Sequence, residues 1–203
     1  MLYPTELQAH QVVTIHQPTV DADARPPTDR SPIVWTIGHG ARTGDALIEL
    51  LRDHGIHRLV DVRKIPRSRR NPQFNREALP GSLGEAGIEY AHRPGLGGLR
   101  RPRPDSTNTG WTNAGFRGYA DYMETEPFSQ ALEALLDLAR DGATAIMCAE
   151  TVPWRCHRSL IADALVARAI DVRHILDVTR VEPHVLTSWA RVEGTKVTYP
   201  GLV

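Results

Sequence analysis

The chain has 203 residues, 41% of them hydrophobic and 24% charged, and Lys+Arg 24 is matched by Asp+Glu 24. That is room for one domain with a full core and an ordinary soluble composition. The neutral total gives no argument for nucleic acid, no apolar run reaches the roughly 20 residues of a membrane span, and Cys148 and Cys156 alone make no disulfide framework. A cytoplasmic protein without a membrane partner is expected, and its oligomeric state is not legible.

Residues 1–31 read as an N-terminal extension expected to be mobile, punctuated by Pro18, Pro26 and Pro27, with a β-prone run at 12–15. Residues 32–203 read as one domain. Residues 33–37 form an apolar strand ending at Gly38-His39-Gly40. Thr43 is placed to cap a helix through Leu47, Leu50 and Leu51, and Gly55 to end it. A second strand at 58–62 runs into a Pro/Arg-rich loop at 63–72. Asn75 is placed to cap a helix interrupted at Pro80-Gly81, and Gly87 closes it before a third strand at 88–91. A long Gly/Pro/Arg loop covers 94–112. Helical stretches follow at 116–123 and 128–138, with Pro127 suited to a first turn. A fourth strand at 143–147 leads to a helix from about Cys156, and a fifth strand lies at 172–176. The tail suggests a short helix near Leu186 and a strand at 196–199. Strands alternating with helices predict an α/β fold, an open and mainly parallel sheet covered by helices on both faces.

In such sheets ligands lie beyond the carboxyl ends of the strands, and each of those ends is polar here. His39 sits between two glycines, as a proton-transfer group or as an exposed turn histidine. Asp61 lies in an apolar strand with Arg63 at the same side-chain parity, so they form either a structural pair or part of an anion site with Arg67, Ser68 and Arg69. After the fourth strand come Glu150, Cys156, His157 and Arg158. A thiol at a helix start beside cations is expected to be acidified and nucleophilic, or is simply a first-turn residue. Glu150 suits acid–base work, or ties down an arginine. Trp111, Phe116, Tyr119 and Tyr122 are placed to stack on a ligand or to fill the core. Residues 58–103 are rich in arginine and poor in acids, which predicts a positive surface region. No G-x-G-x-x-G or phosphate-loop pattern is present, so no cofactor is expected. Cys148, Cys156, His157 and His39 are able to approach one another, but the tight spacings of common metal sites are missing and no metal is expected.

These residues resemble a family catalogued as domain of unknown function 488. The resemblance rests on Thr36 to His39, Leu59 to Arg63 with Pro66 and Ser68-Arg69, Gly87 to Tyr90, Leu96 to Gly98, Tyr119 to Met123, and Cys148-Ala149-Glu150 with Cys156-His157-Arg158. It covers roughly residues 33 to 180. Gly40 departs from the serine expected in many members. The resemblance implies a Rossmann-like α/β domain of a bacterial cytoplasm and brings no settled activity.

Three functions stand on this reading. The first is an enzyme, a hydrolase or group transferase, acting on a phosphorylated or nucleotide-like anion held by Arg63, Arg67, Arg69 and Arg158. Glu150, Asp61 or His39 would move protons, and Cys156 would attack. The second is a nucleic-acid-binding module using the arginine-rich loops. The third is a thiol-based sulfur-transfer or redox protein using Cys156.

Overall fold

In the computed structural model, which describes residues 32–201, the chain opens with β1 (Ile33–Gly38) and α1 (Gly44–Asp53). Thr43 caps α1 as its position predicts, its hydroxyl accepting from the Ala46 N–H. Next come β2 (Arg58–Asp61), α2 (Leu79–Glu85) and β3 (Glu89–His92). Pro80 falls in the first turn of α2, where a missing N–H costs nothing, so it starts this helix and does not interrupt one. Asn75 is not the cap of α2; its side chain accepts from the Ser68 N–H and closes the preceding loop. Then follow α3 (Ala114–Met123), α4 (Glu126–Asp141), β4 (Thr144–Cys148), α5 (Arg158–Val166) and β5 (Asp171–Ile175).

The last three strands are β6 (Val181–Pro183), β7 (Arg191–Glu193) and β8 (Lys196–Thr198). No helix forms near Leu186. Residues 184–187 carry no regular structure, because the His184 ring and the Thr187 N–H and hydroxyl all bond to the Asp163 carboxylate. The 12–15 run and the rest of the expected N-terminal extension lie outside the described residues.

The main sheet has the order β3-β2-β4-β1-β5-β6. Its first five strands are mutually parallel, and β6 runs antiparallel at the edge beside β5. The fold is therefore the expected α/β sheet flanked by helices. From β1 the chain moves outward through α1 to β2 and through α2 to β3. It then returns through α3 and α4 to β4, and through α5 to β5. Right-handed crossovers put helices from opposite directions of travel on opposite faces. The two cores agree: Ile37, Leu59 and Met147 meet Leu47, Leu51 and Leu83 on one face, while Val34, Val60 and Ile146 meet Leu132, Leu135, Leu160 and Leu165 on the other.

This order fixes where a ligand can sit. The chain leaves β1 and β2 toward one face, and leaves β4, which lies between them, toward the other. A crevice therefore opens above the carboxyl end of β4. Gly38 pairs with Cys148, and Asp61 with Met147, so the three strand ends finish nearly level.

Candidate active site

At the end of β2, Asp61 has no exposed surface and Arg63 is 6% exposed. The Arg63 Nε and backbone N–H donate to Asp61 Oδ1 at 2.9 and 3.0 Å, and Nη2 donates to Oδ2 at 2.6 Å. The Tyr90 hydroxyl adds a bond to Oδ2 at 2.9 Å. Nη2 of Arg63 also reaches the Phe74 carbonyl, and Nη1 lies 3.3 Å from His39 Nε2. The carboxylate is thus fully occupied, and the guanidinium is committed to a buried bidentate pair that shapes the loop after β2.

His39 is equally committed. Its Nδ1 donates to the Gly40 carbonyl at 2.9 Å, leaving Nε2 to accept from Arg63. The ring stacks on Phe74 with centroids 4.3 Å apart. Burial, seconded by the Arg63 and Arg158 charges, lowers its pKa to about 4 despite the opposing Gly40 bond and Asp61 charge. His39 is therefore neutral across the physiological range.

The segment after β4 turns through a short helical turn, Pro153–Arg155, before α5 begins. It brings Cys156 back against Cys148. Both thiols are free and buried. His157 Nδ1 lies 3.6 Å from Cys156 Sγ and 3.9 Å from Cys148 Sγ, while its Nε2 donates to the Val62 carbonyl at 3.2 Å. The Cys156 thiol is held well below its ordinary range, foremost by the Cys148 hydrogen bond and then by His157 and the Arg158 charge, against the effect of burial. Cys148 is pushed up by the same hydrogen bond and by burial. Of the two, Cys156 is the more acidic thiol.

Arg158 is 1% exposed. Its Nη2 donates to the Glu150 carbonyl at 2.5 Å and contacts that of Thr151 at 3.4 Å, so it pins the loop backbone. Among the described residues no carboxylate pairs with it directly, and its Nε has no partner. Its charge is answered at a distance. Nη1 contacts Thr36 Oγ1 at 3.4 Å, and Thr36 bonds His174 Nδ1 at 2.7 Å. His174 Nε2 bonds His184 Nδ1 at 2.9 Å, and His184 Nε2 bonds Asp163 Oδ1 at 2.8 Å. An ionised carboxylate accepts only, so His184 carries its proton on Nε2, His174 on Nε2, and Thr36 donates to His174. Every bond in the chain points from the guanidinium toward the carboxylate.

A cavity of about 370 Å³ opens above Cys156. Its wall includes Cys148, Cys156, His157, Ile65, Leu99 and Phe116, with Glu150, Arg63 and Arg155. A smaller space of about 270 Å³ lies beside it, bounded by His39, Arg67, Ser68 and Asn71, and shares Arg63, Ile65 and Glu150 with the first. The Glu150 carboxylate is exposed and makes no hydrogen bond or ion pair among the described residues.

The structure thus brings Glu150, Cys156, His157 and Arg63 to one cavity, and Arg67, Ser68 and His39 to the adjoining one. Arg67 and Arg69 are exposed. Tyr119 is 1% exposed, its hydroxyl donating to the Leu96 carbonyl at 2.8 Å and its ring 5.1 Å from that of His157. It supports the histidine from below and does not line the cavity. Phe116, one of the aromatics placed to stack on a ligand or fill the core, lines the cavity, and Leu99 was not singled out from sequence. Leu99 offered a weak signal, a large apolar residue inside the Gly/Arg loop of 94–112, and it is 81% exposed with φ of 60°.

The model of a family described as Domain of unknown function DUF488 matches residues 43–165, more than half of the chain. No curated protein and no solved structure matches it. Among the described residues no helix is long and apolar enough to cross a membrane.

Proposed function

The chain belongs to the DUF488 family, a domain of unknown function, and because membership brings no activity with it we propose one from the geometry: a hydrolase or group transferase acting on a small ligand in the cavity above β4, with the Cys156 sulfur as the reacting centre. The observation that carries this reading is the convergence of Cys156 and Glu150, unpaired among the described residues, on one cavity, at the place where strand order reverses. Glu150 is the group free to move a proton there, since Asp61 and His39 have their bonding capacity spent elsewhere. The volume, about 370 Å³, is within the range of small-molecule sites. Anion recognition falls to the exposed Arg155 and Arg67 on the two rims, while Arg63 and Arg158 order the loops.

The nucleic-acid reading has less support. Arg63 and Arg158 are buried, Arg58 is paired with Glu89 and Asp141, and Arg103 with Glu124. What remains for phosphates is the exposed set Lys64, Arg67, Arg69, Arg70, Arg76 and Arg101.

Competitive labelling tests the proposal. Reduced, chelator-treated protein is exposed to small thiol-directed electrophiles and digested for mass spectrometry. Cys156 should be modified well before Cys148, and the Glu150→Gln variant should change the pH dependence of the rate. A folded protein in which Cys156 stays unmodified, or is modified no faster than Cys148, sinks the assignment.

A further inference from the structure

We propose that Cys148, Cys156 and His157 are the three protein ligands of a divalent transition-metal ion of the zinc class, with the fourth position opening into the cavity. The proposal deepens the reading above. It rests on that reading in placing the chemistry at Cys156, and it makes that sulfur a metal ligand while the ion is bound.

The argument begins with distances. Zinc–sulfur bonds are about 2.3 Å and zinc–nitrogen bonds about 2.0–2.1 Å, so a tetrahedral site needs S···N edges of about 3.6 Å and an S···S edge of about 3.8 Å. Cys156 Sγ and Cys148 Sγ lie 3.6 and 3.9 Å from His157 Nδ1, and all three atoms fall within 4.8 Å of one another. The two S···N edges already match, and the sulfur pair would close by at most about 1 Å to take an ion.

The imidazole is also prepared in the right tautomer. Its Nε2–H donates to the Val62 carbonyl at 3.2 Å, which leaves the Nδ1 lone pair facing the two sulfurs. A backbone carbonyl on the far nitrogen is the usual support of a metal-bound histidine. The supports are rigid: Cys148 ends the central strand β4, and the start of α5 is fastened through Arg158 to the Glu150 and Thr151 carbonyls.

Room and charge agree with an ion. A Cβ built on Gly98 would stand 3.0 Å from His157 Nδ1, so the bare glycine keeps the space beside that nitrogen clear. Two thiolates and a divalent ion sum to zero, which suits a pocket already holding the buried Arg158 cation. Two sulfurs and one nitrogen select zinc, cobalt or iron over magnesium or calcium, which want oxygen.

The test uses full-length, reduced, chelator-stripped protein titrated with cobalt(II) alone. The expected result is the visible absorption of tetrahedral cobalt with a thiolate charge-transfer band. It should saturate at one ion per chain and vanish on adding zinc. Cys148→Ala should lose half of the charge-transfer intensity, and Gly98→Ala, which leaves every ligand in place, should weaken binding by about tenfold, as changes next to metal ligands do. An octahedral spectrum without charge transfer, or bands indifferent to Cys148→Ala, overturns the proposal. Fast labelling of Cys156 with no cobalt signal removes the metal and leaves the reactive thiol standing. Tight cobalt binding with Cys156 unlabelled in the metal-free protein does the reverse.

Discussion

Single side chains show what sequence reveals well and what it hides. The shared parity of Asp61 and Arg63 within an apolar strand pointed to a pair, and the pair is there. Hidden from sequence was its degree of engagement, because that depends on Tyr90, His39 and the Phe74 carbonyl, which arrive from other segments. The same holds for Arg158, whose donors go to loop carbonyls and to Thr36. Two buried histidines give a prediction at this scale. In the unfolded chain each protonates near 6.5, whereas burial first, and neighbouring cations with it, lower His39 to about 4 and His174 to about 3. Between those values and 6.5 the unfolded state binds more protons. Stability is therefore intact above pH 6.5 and falls as the solution is acidified through this window, by up to about 1.4 kcal/mol per pH unit for each group. Urea titrations at stepped pH measure the slope. His39→Asn should flatten it between pH 6.5 and 4, and an unchanged slope would show that His39 is not held neutral.

Among the elements, the long periodic ones were legible and the short edge ones were not. Strands β1, β2, β4 and β5 are apolar runs bounded by glycine or charge, and α1 announces itself through Thr43. Strands β6 and β7, three residues each and without a fully buried side chain, carry no such pattern. They exist because partners are supplied by β5 and β8. Strand order was the larger gap. Only the order that seats β4 between β1 and β2 turns a set of polar strand ends into a cavity. Gly38 is the tightest point of that junction: a Cβ there would run into the Glu150 backbone carbonyl, the same oxygen that Arg158 holds. Gly38→Ala should cost about 1–3 kcal/mol, in the range of overpacked cores, and should also disturb the cavity. Denaturant midpoints and the Cys156 labelling rate together check this. Lost stability with an unaltered labelling rate would uncouple this contact from the site.

For the molecule as a whole, two separate apolar cores share one sheet, so neither face can open without exposing strands common to both. The C-terminal tail returns beneath the helices. The Tyr199 hydroxyl reaches Asp163, its N–H reaches Asn108, and its carbonyl accepts from Gly110. We propose that residues 32–203 constitute one cooperative unit. A chain beginning at residue 32 should unfold with coincident transitions by circular dichroism and by tryptophan fluorescence, as small single domains do. Two resolved transitions would instead divide it along the sheet.

The one-way chain of protons from Arg158 to Asp163 has a practical use. Arg158 and Asp163 stand on the same helix, yet their charges communicate through two strands and two imidazoles. The imidazole N–H protons of His174 and His184 are each held in a hydrogen bond, and their magnetic resonance frequencies follow the polarity of the chain. An anion that draws on the guanidinium would displace signals at His174 and His184, two strands away from β4 on the same face. Events in the cavity become readable by an unlabelled protein reporting on itself.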